Sequence, residues 1–328
     1  MSTNLCASVG GNTGAVACDI SRGVPRKILV GGKQFSSVEY ASADSLQTAI
    51  LAAINLSNGD TNKLFPFTLV EEVAVNTEAD TTGSLALGPN KRLRKGRPAY
   101  TYTSDMSWSQ FQHLLPFDNK VVPVFTFDDG SAFWGRRNVA AANTPNTNPF
   151  GGELARVTIS GGGFKDGANA ATGAVTISVS YLDVDDFEKR GTYALLPNLA
   201  PGDLNGLIDV MLSEPTAHTT NAYKIAITIP LPIANTTEGD RNIFTEYGAI
   251  LAALTWTAGT GANYATALTI TSVAVDNTLK CLTVTFDSTA YTALANGAKI
   301  KLTPPNVPAL VVGNMVGYEI GTIILTKS

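Results

Sequence analysis

Histidine is almost missing from this 328-residue chain: it has two, His113 and His218, about a hundred residues apart in unlike contexts. A metal or acid–base centre built on imidazole is therefore poorly supplied. Cysteine is nearly as scarce. Cys6, Cys18 and Cys281 form no CxxC pair, and their odd number argues against a disulfide framework, so reduced thiols are expected. Charge is sparse as well, at 15% of residues with a net charge of −4, which disfavours a disordered chain and a basic nucleic-acid binder. No apolar run approaches the roughly 20 residues of a membrane helix, so no transmembrane segment is expected. Met1 to Asn12 lack the basic start and apolar stretch of a secretory signal, which points to synthesis in a cytoplasm.

What the chain has in quantity is glycine (30), proline (16), threonine, asparagine and short alternating bursts of β-branched residues. That texture predicts a mainly β protein. Strands are expected at Val24–Val30, within Phe65–Val75, at Ser84–Leu87 and at Ala99–Thr103. Leu46, Ala49, Ile50, Ala53 and Ile54 recur at helical spacing within Ala43–Leu56, with Ser42 or Asp44 as N-cap and Asn58-Gly59 as the stop. A second short helix is expected over Ser107–Leu115, and a third over Asp203–Ser213, where Leu204, Leu207, Ile208 and Met211 align. Val121–Phe127 and Ser131–Trp134 flank Asp128-Asp129-Gly130, a hairpin whose Asp-Gly pair suits positive φ. Asn138–Gly152 reads as a long loop, and Leu154–Ser160 with Ala174–Leu182 as paired strands of the same antiparallel sheet. Tyr223–Ile229 is a further strand.

Thr257–Asn263 has linker composition, which divides the chain into a main β domain (1–258) and a small immunoglobulin-like sandwich (263–328). In the latter, a hairpin of Leu268–Val275 and Leu279–Phe286 turns over Asp276-Asn277, and Ala298–Leu302 and Ile320–Leu325 add strands. The fold class expected is an antiparallel β-sandwich or barrel with a few short helices, plus that sandwich.

Catalytic signatures are not found. GxSxG is absent, Gly31-Gly32-Lys33-Gln34 is not a phosphate loop, and Gly259-Thr260-Gly261 lacks the third glycine of a dinucleotide fingerprint. In Asp183–Glu188, Phe187 and Glu188 stand where a calcium loop needs a ligand and a glycine, so a solvated strand end is expected. A turn accounts for the Asp128–Asp129 pair without glycosidic chemistry. His113 is read as a packed side chain or capped ring, Cys281 as a small buried hydrophobe, and Trp108, Trp134 and Trp256 as core residues. No enzyme, cofactor or metal is expected.

One local feature escapes composition: Lys91, Arg92, Arg94, Lys95 and Arg97 fall within seven residues. Such a run contacts nucleic acid, docks on an acidic patch of a neighbouring copy, or is an exposed hairpin. Candidate patches are Glu71, Glu72, Glu78 and Asp80, or Asp183, Asp185 and Asp186. Docking makes these five residues the subunit-interface candidates; sequence-specific nucleic-acid binding is not expected.

The strand Gly23–Val30 followed by the Leu46–Ile54 helix, the Asn76-Thr77-Glu78 to Gly96–Tyr102 region, the Val124–Gly135 hairpin and the Gly152–Tyr181 strand pair form a layout over about the first 190 residues. That layout resembles virion structural proteins of tailed bacteriophages, most nearly tail-tube or neck-type subunits with an added immunoglobulin-like domain. The resemblance implies a β-sandwich or curved sheet with a flanking helix, whose copies join edge to edge into rings. It also implies loops, Lys91–Arg97 and Asn138–Gly152 among them, that bridge neighbours. Partners would be many copies of the chain and other virion proteins, and the location the virion. A major capsid protein with two jelly rolls is the rival within that class, and a carbohydrate-binding or adhesive β-module the alternative outside it.

Overall fold

A computed structural model describes residues 23–36, 38–56, 58–83, 91–106, 108–137, 150–160, 174–184, 191–216, 218, 220–229, 241–304 and 318–328. The chain is mainly β, with several antiparallel sheets and a few short helices. Two compact units divide it: one runs to Ile54 and resumes over Thr61–Asn205, and the other comprises Asn55–Asp60 and Gly206–Ser328.

The first unit begins with β1 (Pro25–Gly31), β2 (Gln34–Phe35), α1 (Ala43–Ile54), β3 (Leu64–Pro66), β4 (Glu72–Val75), β5 (Thr81–Gly83) and β6 (Lys91–Arg94). It continues with β7 (Ala99–Asp105), α2 (Trp108–Leu114), β8 (Lys120–Asp128), β9 (Ala132–Arg137), β10 (Phe150–Gly151), β11 (Glu153–Ser160), β12 (Ala174–Tyr181) and β13 (Gly191–Leu195). Eleven strands form one sheet, whose main path is β2-β10-β9-β8-β11-β12-β7-β4. Off that path, β1 pairs with β8 and β3, and β13 with β9.

Strand periodicity sends neighbouring residues of β1 to different cores. Ile28 and Val30 join Val124, Val157, Ile177 and Tyr102, with Phe111 and Leu114 of α2. Leu29 joins Phe125, Phe127 and Phe133, with Leu46 and Ile50 of α1. Each such fully buried side chain contributes about 1.5–3 kcal/mol. Ser42 caps α1: its Oγ accepts from the Ser45 N–H at 3.2 Å, and Ser45 Oγ accepts from the Ser42 N–H at 3.1 Å.

The Asp128 hairpin forms, but its positive φ sits elsewhere than expected. Ser131 takes the left-handed conformation at φ 60°, and Gly130 does not. The carboxylate of Asp128 organises the turn by accepting from the N–H groups of Gly130 at 3.0 Å and Ala132 at 2.8 Å. With the local amides held by a side chain, the loop closes over three residues and the tight two-residue turn is not used.

The second unit contains β14 (Ile208–Ser213), β15 (Ala222–Ile229), β16 (Arg241–Asn242), α3 (Phe244–Ala252), β17 (Thr257–Thr260) and β18 (Thr266–Ala267). It ends with β19 (Ile270–Asp276), β20 (Cys281–Phe286), α4 (Ser288–Thr292), β21 (Lys299–Thr303), β22 (Tyr318–Ile320) and β23 (Ile323–Thr326). A six-stranded sheet, β19-β20-β15-β14-β22 with β16 on β15, and a four-stranded sheet, β18-β17-β21-β23, share one core. Tyr223, Ile225 and Val284 come to it from the first sheet, and Ala258, Ile300 and Leu302 from the second.

Two expectations are corrected here. Asp203–Ser213 is not a helix: a 3-10 turn at Pro201–Asp203 leads into β14, which pairs antiparallel with β15 and parallel with β22. Val210 and Leu212 are buried while Met211 between them is exposed, so the period is two. Thr257–Asn263 is not a linker, because Thr257, Ala258 and Gly259 pair with Thr303, Leu302 and Lys301 in the heart of the second sheet. The division between units falls at 205/206 instead of near 260, and the C-terminal sandwich is about twice the expected length.

Candidate functional site

The basic run belongs to a two-stranded ribbon that grows out of the edge of the large sheet. At its foot, β4 is the terminal strand of the path, pairing with β7 from Glu72↔Thr103 to Val75↔Tyr100. Asn76 N–H then donates to Ala99 O at 2.8 Å and Glu78 N–H to Arg97 O at 3.0 Å. Further out, β5 and β6 pair, among the described residues, only with each other, through Thr81↔Arg94, Thr82↔Arg92 and Gly83↔Lys91. The neighbouring strand β12 stops at the root, where Ser180 faces Ala99 and Tyr181 N–H reaches Pro98 O at 3.0 Å. Beyond that point the ribbon extends for roughly 25 Å, at about 3.3 Å per residue.

Sequence explains how the root is held. Asn76 Nδ2 donates to Thr101 Oγ1 at 2.6 Å, and that hydroxyl lies 3.3 Å from Ser178 Oγ on β12. Gly96 packs so closely on the Glu78 carbonyl oxygen that a Cβ would overlap it, and its N–H donates to Asp80 Oδ1 at 2.7 Å. Between Thr81 and Thr82 the register shifts by one residue, a bulge that leaves Leu93 68% exposed. Val75 at the foot is also 68% exposed.

Charge is divided by strand. The outgoing strand, Glu71 to Gly83, carries Glu71, Glu72, Glu78 and Asp80 and no cation. The returning strand, Lys91 to Arg97, carries the five cations and no acid. Arg94 Nη2 meets Glu78 Oε2 at 2.9 Å across the ribbon, with side chains 56% and 48% exposed. An ion pair this exposed is worth about 0–1 kcal/mol. An acidic partner for the basic run thus lies in the same hairpin, and the run begins as a strand. Lys91, Arg92 and Arg94 lie within β6; Lys95 and Arg97 lie between β6 and β7. Asp183 is in the described chain, whereas Asp185 and Asp186 lie outside the described residues, as do Ser84–Leu87, Cys6, Cys18 and most of Asn138–Gly152.

The other sequence candidates resolve individually. Asp128 is 1% exposed and, besides the two turn amides, its Oδ2 accepts from Gly23 N–H at 3.0 Å and Trp134 Nε1 at 2.7 Å. Asp129 Oδ1 accepts from Val24 N–H at 3.2 Å. Both carboxylates therefore serve the turn and its junction with β1. Trp256 is buried and donates to Leu251 O at 2.8 Å, and Trp134 packs on Tyr193. Cys281 is buried, which pushes its thiol up. His113 is exposed on the last turn of α2, facing away from the Phe111–Leu114 stripe, so of the packed or capped ring expected it is not the packed one.

A polar chain that sequence reasoning missed lies in the second unit. His218 Nδ1 is 3.0 Å from Glu214 Oε1, and its Nε2 accepts the Ser328 N–H at 3.2 Å and lies 2.9 Å from Ser328 Oγ. Acceptance at Nε2 places the ring proton on Nδ1, facing Glu214. The ring stacks on Tyr223 with centroids 3.9 Å apart. Serine, imidazole and carboxylate in a row resemble an activated nucleophile, but the main-chain N–H already occupies the imidazole lone pair. The arrangement works as a clip on the chain beyond β23. The Glu214/His218 spacing was readable; Ser328, 110 residues on, was not. A depression of about 250 Å³ beside Gly259, Tyr264 and Lys301 is below the usual ligand-pocket range. Among the described residues no group of three His, Cys, Asp or Glu side chains is placed to hold a metal, and no helix is long and apolar enough to cross a membrane.

Compared with protein-family models, curated proteins and solved structures, the chain finds no match.

Proposed function

We propose that this chain is a structural subunit that assembles with many copies of itself into a bacteriophage virion, as a tail-tube or neck-type protein. The observation that carries the proposal is the ribbon of residues 76–83 and 91–98. A two-stranded ribbon is marginal in water by itself and gains stability when its edges or faces are covered. This one leaves a sheet edge, keeps residues 74–82 exposed throughout, and presents Val75 and Leu93 to solvent. An exposed strand edge is a liability in a monomer and an adhesive in an assembly.

Support also comes from the eleven-stranded sheet of the first unit, where α1 and α2 accompany two separate cores. The Asp128 carboxylate, whose hydrogen bonds all go to the turn and its junction with β1, is consistent with a scaffold role. Other virion proteins would be the further partners, and neither catalysis nor a cofactor is part of the proposal. Purified protein examined by electron microscopy and native mass spectrometry should form rings or tubes. A strictly monomeric species at high concentration overturns the proposal; closed shells would favour the capsid protein in its place.

A further inference from the structure

We infer that successive copies meet head to tail through the two edges of the arm, the acidic strand of one copy lying beside the basic strand of the next. The inference rests on the assembly proposal and specifies its contact. In a ribbon of two strands each strand has one inner edge, paired within the chain, and one outer edge. Here the outer edge of β4 pairs with no strand among the described residues, and the outer edge of the basic strand is clear of β12 beyond Pro98. Both edges can accept a further strand.

Charge decides which edges meet. Side chains of paired strands lie about 5 Å apart across the ladder, where opposite charges attract and like charges repel. A symmetric contact would set Glu71, Glu72 and Glu78 of one copy beside the same residues of another, or Arg94 and Arg97 beside their own counterparts. A head-to-tail contact sets acids beside cations at every junction. The pair already formed inside the arm does not exhaust its members. Glu78 and Arg94 remain about half exposed, a carboxylate offers about four lone-pair sites, and a guanidinium five N–H donors. Such a head-to-tail contact uses different surfaces on the two partners, so repetition closes a ring or propagates a filament, whereas a symmetric contact stops at a dimer.

Charge exchange tests this in the full-length protein. One variant carries Glu71→Lys and Glu72→Lys, the other Arg94→Glu and Arg97→Glu; circular dichroism checks that each is folded. Each variant alone sets like charges against each other at the exchanged positions, 71 and 72 on one edge and 94 and 97 on the other, and the concentration it needs to assemble at low salt should rise about tenfold or more. An equimolar mixture should recover assembly, with native mass spectrometry showing the two variants in equal numbers. Folded variants that each assemble like the parent, or a mixture that gains nothing over its components, overturn the head-to-tail contact while leaving assembly itself standing. A monomeric parent protein overturns both. If the Arg94 variant unfolds the arm, Arg97→Glu alone paired with the same lysine variant gives the same reading.

Discussion

Asp128 and Asp129 are adjacent carboxylates in one turn, yet Asp128→Asn is expected to be far more damaging than Asp129→Asn. The four donors on Asp128 divide evenly: Gly130 and Ala132 N–H on Oδ1, Gly23 N–H and Trp134 Nε1 on Oδ2. Asparagine keeps one oxygen and replaces the other by NH2, so in either orientation two donors face a donor. Leaving a buried donor unsatisfied costs about 1–3 kcal/mol, and the two bonds that survive lose their charge assistance. Allowing for water reaching the partly buried Gly23 and Gly130 amides, the cost is about 2–4 kcal/mol. Asp129 holds one exposed N–H at 3.2 Å, and its replacement should cost under about 1 kcal/mol. For a unit of this size, 3 kcal/mol lowers Tm by roughly 6–12 °C. Denaturant and thermal unfolding followed by near-ultraviolet circular dichroism measure both variants. Equal losses for the two would refute the idea that Asp128 is the hub of the turn.

Burial alone lowers the Lys27 ammonium to about 8. Because the folded state binds fewer protons than the unfolded state between pH 8 and about 10.5, stability should rise with pH across that window. Below pH 8 the burial penalty is present in full, so Lys27→Met should stabilise by about 1–3 kcal/mol at pH 7, with the gain vanishing above about pH 10.5. A pH-independent difference between the two proteins in denaturant titrations counts against it. Ser131→Gly, at φ 60°, should raise stability by about 0.5–1 kcal/mol, since relief of the left-handed strain exceeds the entropy that glycine adds; a lower Tm would contradict this. Gly96→Ala should force the ribbon apart at Glu78, raising amide exchange at Glu78 and impairing assembly while the melt of the unit moves by less than about 1 kcal/mol. Unchanged exchange at Glu78 would show that the close approach does not hold the arm.

Sequence by itself determined the elements in which one period dominates. Val157 and Ile159, and Val175, Ile177 and Val179, alternate with polar neighbours, and β11 and β12 form where that alternation lies. Leu46, Ile50, Ala53 and Ile54 allow only a helical face, and α1 buries those four residues. Where local patterns were ambiguous, tertiary structure decided. Leu204, Leu207, Ile208 and Met211 fit a helix, but the chain at Ile208–Ser213 gains backbone partners on both sides from β15 and β22, the latter about a hundred residues away. Thr257–Thr260 has the composition of a linker and becomes a strand because β21 supplies its ladder. The boundary between units moved for the same reason: it depends on which distant strands share a core.

The arm shows the same division of labour. Its cluster of cations was legible as five residues in seven, and the acids that face it were legible as candidates. That the acidic and basic stretches are the two strands of one ribbon follows from pairings such as Thr81↔Arg94 and Asn76 N–H on Ala99 O, and that this ribbon leaves the sheet at Pro98 follows from the more distant contact of Tyr181 N–H with Pro98 O. Side-chain type is written locally, whereas register and edges arise only when strands far apart in the chain compete for the same backbone hydrogen bonds.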